Sequence, residues 1–133
     1  MKRNYNKEMV DNERAYAYSF DLDVMHPFML KTFEPFFKKE GSLLELGCHK
    51  GDFTKRFVDH FEDITCVEAS NKAIEEAKQK VPSSVKFVND LFENVELSKK
   101  YDNIVLTHVL EHLDDPVEVL KRVNDEWLND GGR

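Results

Sequence analysis

From Ser42 onward, short apolar runs alternate with stretches in which apolar residues recur every three or four positions. Residues 43–46, 64–67, 85–88 and 103–107 form the runs. Each is too short for a helix and rich in Leu, Ile and Val, so each reads as a strand buried on both faces. Between them, Phe53, Phe57, Val58 and Phe61 predict a helix over 52–61. Ala73, Ile74 and Ala77 predict a second, starting after Ser70 as its N-cap and running to Lys80. Asp115-Pro116-Val117-Glu118 is a helix start, with Asp115 as N-cap, Pro116 at the first helical position and Glu118 completing a capping box. Leu120, Val123 and Trp127 carry its inward stripe. Before Ser42 the pattern differs. Residues 1–12 are polar, Tyr16, Tyr18 and Phe20 follow, and Met29, Phe33, Phe36 and Phe37 give the stripe of a one-faced helix. Pro27 fits the first turn of that helix and Pro35 kinks or ends it. The alternation predicts an α/β fold: a mostly parallel sheet with helices on both faces and right-handed crossovers.

Composition narrows the partners. The chain has 133 residues and 41% hydrophobic content, enough for one core. With 19 basic against 26 acidic side chains, net charge −7, it lacks the surface that neutralises a nucleic-acid backbone, so no nucleic-acid partner is expected. Cys48 and Cys66 make neither a disulfide framework nor a zinc motif. No apolar run approaches membrane-spanning length, and the first residues are polar, so a reducing, cytoplasmic setting is the expectation. Lys38-Lys39 and Lys99-Lys100 read as solvated pairs, and the two cysteines as small buried hydrophobes.

The chemistry concentrates at the ends of the apolar runs. Leu43-Leu44-Glu45-Leu46-Gly47-Cys48-His49-Lys50-Gly51 is a strand carrying an acid, then a glycine-bearing turn, then a helix start. Such a turn presents backbone N–H groups to a nucleotide-like ligand. Glu68 follows the second run and Asp90 the third. The dinucleotide fingerprint needs glycines at the first, third and sixth positions of the turn; Gly47 fits, but His49 and Asp52 occupy the other two. No Walker-type phosphate loop is present. Three acids suit a ligand with a ribose and a positive charge and without a phosphate. The plainer alternative is that a strand-end acid only caps the helix after it.

Here the chain resembles a family. Residues 43–133 are similar to the class I S-adenosylmethionine-dependent methyltransferases, small-molecule type, most closely the group typified by ubiquinone and menaquinone biosynthesis. The resemblance is carried by 44–51 against the family's acid-x-Gly-x-Gly-x-Gly motif, by Val67-Glu68-Ala69-Ser70, by Asn89-Asp90-Leu91, and by residues 101–116 around the fourth strand. It implies a Rossmann-like α/β domain over 42–133, preceded by a helical lid or substrate segment over 1–41. It implies S-adenosylmethionine as cofactor, S-adenosylhomocysteine as product and a small-molecule acceptor. Glu45, Gly47, Cys48, His49 and Gly51 become the turn beside the methionine part, and Glu68 with Ala69 the ribose contacts. Asp90 accepts from the adenine amino group, the Leu91 backbone N–H faces a ring nitrogen, and Thr107 lies beside the reactive methyl. His108 and His112 flank the end of the fourth strand as candidate general bases, with His26 as a third.

Two departures from the family matter. Its middle glycine is His49 here, which costs on the order of 1 kcal/mol if that position needs a positive φ. The Gly131-Gly132 turn normally leads into a fifth strand, so the sequence reads as truncated, with the fourth strand left as an open edge where a homodimer could form. A cofactor-binding or scaffold module without turnover is the rival reading, and a nicotinamide-dependent oxidoreductase a third.

Overall fold

The computed structural model describes residues 3–11 and 21–133. Tyr16, Tyr18 and Phe20 lie outside the described residues. Strand β1 (Leu43–Leu46) is paired on one side with β2 (Ile64–Val67) and on the other with β4 (Asn103–Leu106). Strand β3 (Lys86–Val88) lies outside β2, so the order is β3-β2-β1-β4 with every pair parallel. Leu46 stands opposite Val67 and Leu106, and Val67 opposite Val88. The strands therefore end together, and the four segments that follow them emerge along one rim of the sheet. That shared rim makes the site.

Both faces of β1 and β2 are buried, as their unbroken apolar runs require. On one face Leu43, Ile64 and Cys66 pack with Phe53, Phe57 and Phe61 around the short helix α3 (Thr54–Phe57). Met29, Leu30 and Phe33 of helix α2 (His26–Phe33) close over them. On the other, Leu44, Leu46 and Val67 pack with Val95, Tyr101 and Trp127. Helix α4 (Asn71–Lys78) buries Ala73, Ile74 and Ala77, and Ser70 caps it by accepting the Ala73 N–H at 3.2 Å. The N-terminal helix α1 (Tyr5–Asp11) leans on α4 through Asn6, whose Oδ1 accepts the Ser70 hydroxyl at 2.7 Å. Buried Asn103 ties the segment before β1 to β4: its Oδ1 accepts the Lys38 N–H at 2.8 Å and its Nδ2 donates to the Lys38 carbonyl at 3.1 Å.

Several boundaries and faces depart from the sequence expectation. The 52–61 helix is regular only over α3. Its flanks make i→i−3 bonds, Arg56 N–H to the Phe53 carbonyl and His60 N–H to that of Phe57, both at 2.9 Å. The same tightening, Lys80 N–H to the Ala77 carbonyl, stops α4 two residues before Lys80. Val85 stays out of β3 because its N–H is held by the Pro82 carbonyl at 3.1 Å. Phe36 is exposed, because the chain tightens into a 3-10 turn at Glu34–Phe36 and rotates Phe36 away while Phe37 packs edge-on to Phe61. Leu120 is exposed and Val119 fully buried. Helix α5 (Pro116–Arg122) runs into a π-helical turn at Val123–Trp127, so the inward face falls on 119, 123 and 127. Lys99 is an ion-pair partner of Asp63 rather than a solvated cation. The outer edge of β4 is not bare either. Leu128 bridges Tyr101 in parallel, and the Ile104 N–H donates to the Arg133 carbonyl at 2.8 Å.

Asp115 caps α5 as expected, accepting the Glu118 N–H at 2.9 Å. Asp115→Ala is expected to cost about 1 kcal/mol, read as a lower midpoint in urea unfolding with an unchanged slope.

Candidate active site

A cavity of about 460 Å³ opens at the C-terminal ends of the strands. Its floor is the turn after β1. Gly47 has φ 80°, and a Cβ on it would stand 2.6 Å from Val109 Cγ2, so only glycine lets the chain turn here against the segment after β4. His49 has φ 48°, the left-handed conformation anticipated for it, and its N–H donates to Glu68 Oε2 at 3.0 Å. Gly51 also has positive φ but does not line the cavity; a Cβ there would sit 2.8 Å from Ala77 Cβ. It packs against Ala77 and seats α4 against the turn.

Glu45 is 2% exposed and accepts the Thr54 hydroxyl at 2.6 Å. The Cys66 Sγ stands 3.6 Å from the same carboxylate oxygen. Burial outweighs those contacts and pushes its pKa up to about 7. Glu68 accepts two backbone N–H groups, from His49 and, at 2.8 Å, from Ser70, so one carboxylate joins the glycine turn to the start of α4. Burial raises its pKa as well, against the pull of those N–H groups. Asp90 Oδ1 accepts the Leu91 N–H at 2.8 Å. The Leu91 amide, expected to face a ring nitrogen, is engaged by Asp90 in this structure, and both residues line the cavity.

The wall cations Lys50 and Lys80 are paired with Glu76 and Asp52 at 3.3 and 2.9 Å. Cys48, Ala69, Thr107, His108 and His112 all belong to the wall. The Thr107 hydroxyl is buried without a hydrogen-bond partner among the described residues. His108 is largely exposed, 3.6 Å from Glu111. The His112 backbone carbonyl accepts from the Arg3 guanidinium. Arg3 also pairs with Glu8 at 2.7 Å, and Arg3, Tyr5 and Glu8 close the cavity from the side of α1. None of these three, nor the wall residue Phe92, stood out in the sequence, because no local pattern marks a contact made between segments far apart along the chain.

Strand-end acids around a glycine turn, on a parallel sheet of this order, prompt comparison with known proteins. Residues 44–133 match the model of the methyltransferase domain family. The chain belongs to that family. It is 33% identical over 75 residues to nodulation protein S of Azorhizobium caulinodans, covering 55% of this chain and 36% of that protein. It is 29% identical over 100 residues to malonyl-[acyl-carrier protein] O-methyltransferase 1 of Ilyobacter polytropus, covering 72% of this chain and 37% of that protein. The chain thus spans well under half the length of both relatives. Among solved structures, the N-methyltransferase NodS of Bradyrhizobium japonicum in complex with S-adenosylhomocysteine superposes with a TM-score of 0.78 at 21% identity, over 98% of this chain and 70% of that one. The methyltransferase domain here is Rossmann-like, as its strand order and crossovers require. No helix among the described residues is long and apolar enough to cross a membrane.

Proposed function

We propose that this chain binds S-adenosylmethionine in the rim cavity and serves methyl transfer to a small-molecule acceptor in a reducing, cytoplasmic setting. The observation that carries the reading is the set of acids Glu45, Glu68 and Asp90 in one cavity lining whose cations, Arg3, Lys50 and Lys80, are each paired with another carboxylate. Such a wall favours a ligand with hydroxyls and positive charge. When bound, the cofactor supplies a methyl group already activated on a sulfonium. The protein then has to orient the two reactants and exclude water.

Glu68, preoriented by the His49 and Ser70 N–H groups, keeps acceptor capacity for both ribose hydroxyls. Asp90 takes the adenine amino group, and the Gly47, Cys48, His49 and Ala69 backbone cradles the remainder. Glu45 lends negative potential to the cationic end, and Thr107 faces the methyl. His108 and His112 contact the acceptor from the solvent side. Helix α1, hinged on the Arg3–His112 and Asn6–Ser70 bonds, is the lid.

Calorimetric titration with S-adenosylhomocysteine, with NAD as control, tests the reading. Saturable binding of the first and none of the second is expected. NAD binding, or no binding of either by a folded sample, removes it.

A further inference from the structure

We propose that Arg122, on α5 and outside the cavity lining, is a positioning residue for the wall that meets the adenine of the cofactor. The inference rests on the S-adenosylmethionine reading above and adds a residue to which that reading gives no part. Asp90, Leu91, Phe92 and Glu93 follow β3 in unbroken sequence and all line the cavity. Asn94 and Val95 lie behind them. Their N–H groups donate back to the Leu91 carbonyl at 3.0 and 2.8 Å, closing one helical turn.

A single turn is too short to hold its own shape. This one is gripped at both ends. At its start the Asp90 carboxylate accepts the Leu91 N–H at 2.8 Å. At its finish one guanidinium takes two carbonyls: Arg122 Nη1 donates to that of Phe92 at 2.5 Å and Nη2 to that of Val95 at 2.8 Å. Meeting two carbonyls at once needs a planar fork of donors, which arginine has and lysine lacks.

The guanidinium is itself fixed. Nε and Nη2 donate to the Glu126 carboxylate at 3.1 and 2.8 Å, and the guanidinium carbon lies 4.8 Å from the centre of the Trp127 ring. Trp127 packs in the core with Leu44, Leu46 and Val95, and its carbonyl accepts the Tyr101 N–H at 2.7 Å just before β4. Arg122 thus refers the turn after β3 to the far edge of the sheet. Val95, 1% exposed, is already seated in the core by its own side chain, so packing alone does not call for a charged clamp here.

The consequence falls on Phe92. Its ring reaches toward the glycine turn, with Cζ 3.7 Å from where a Cβ on Gly47 would stand. Holding the Phe92 carbonyl therefore sets the gap between the Asp90 side of the cavity and its Gly47 floor. A misplacement of about 1 Å in such a gap is worth on the order of 100-fold.

Calorimetric titration of the full chain with S-adenosylhomocysteine and with S-inosylhomocysteine, whose ring carbonyl replaces the amino group, tests the assignment. The wild-type chain should prefer the adenosyl ligand about 10-fold or more, because the inosyl carbonyl confronts the Asp90 carboxylate. Arg122→Lys keeps the charge and loses the fork. Its affinity for the adenosyl ligand should fall about 30-fold, and its preference over the inosyl ligand should shrink to about threefold or less. A variant that unfolds at lower temperature yet keeps the wild-type preference shows a structural cation only and overturns the assignment. So does a wild-type chain that binds both ligands alike. A folded wild-type chain that binds neither overturns instead the reading on which the inference rests. If Arg122→Lys does not fold, NMR of the Arg122 side chain in the wild-type protein decides. Its Nη signals should be resolved, because the clamp slows rotation of the guanidinium, and should shift when S-adenosylhomocysteine is added. Averaged signals, or resolved ones that the ligand leaves in place, reject the role.

Discussion

Glu68→Ala is expected to lower affinity for S-adenosylhomocysteine about 1,000-fold, two hydrogen bonds to a carboxylate contributing roughly 1.5–3 kcal/mol each. The loss has two separable parts. The carboxylate at the end of β2 accepts the His49 and Ser70 N–H groups, and truncation leaves both without their partner. That part is structural and appears as a lower unfolding temperature without ligand. The other part is the loss of the two lone-pair directions left for ribose hydroxyls, and it appears only in the titration. Glu68→Gln separates them. It preserves shape and one acceptor oxygen, but turns an NH2 group toward one of the two backbone donors. Its stability should lie between wild type and Glu68→Ala, with binding nearly as poor as in the latter. If Glu68→Gln binds as tightly as wild type, the carboxylate is only a clasp between the glycine turn and α4, and the ribose contact has to be sought elsewhere.

The inner strands β1 and β2 were legible because a parallel strand covered on both faces is a nearly unbroken apolar run, visible in four residues of sequence, whereas β3 is exposed to half-buried and β4 alternates between buried and half-buried. The caps at Ser70 and Asp115 were legible for a similar reason: the donor lies three residues away. What failed was phase and distance. Leu120 and Phe36 were assigned inward by regular α periodicity, whereas a π turn after α5 and a 3-10 turn after α2 rotate them outward. Gly51 looked like its neighbour Gly47, yet its constraint comes from Ala77, on a helix that sequence spacing cannot locate. The acids of the cavity floor were found because each sits at a strand end. The wall made by Arg3, Tyr5, Glu8 and Phe92 was not, since its members share only an address in space. His26 stood among the candidate bases, but only the structure separates its buried Nδ1 from the exposed His108 ring.

Glu45→Gln is expected to make the protein more stable at pH 8 by roughly 3 kcal/mol, since a pKa shift is worth about 1.4 kcal/mol per unit. The folded-state pKa of Glu45 is about 7 against an ordinary value of 4.5, because burial disfavours the charged form more than Thr54 and Cys66 favour it. Below the ordinary value both states hold the proton and no penalty exists. Between that value and about 7 the folded state binds more protons than the unfolded one, so stability falls as pH rises. The loss is complete once the folded group ionises. In the variant, the glutamine amide oxygen still accepts the Thr54 hydroxyl, and the side chain never ionises. Other groups slope differently in this window. Glu68, also raised, falls with Glu45, whereas His26 and His49, both lowered, gain stability as pH rises through the ordinary histidine value. The quantity to read is therefore the difference between wild type and variant by urea unfolding from pH 4.5 to 8, in which those slopes cancel. A gap that opens with pH identifies Glu45 as the group that titrates; a gap that stays flat shows it ionised, or neutral, across the whole range. Carrying a buried negative charge at pH 8 makes sense for this fold only if a cation comes to meet it. Saturating S-adenosylmethionine should accordingly stabilise the wild-type protein more at pH 8 than at pH 5, and Glu45→Gln should lose that dependence.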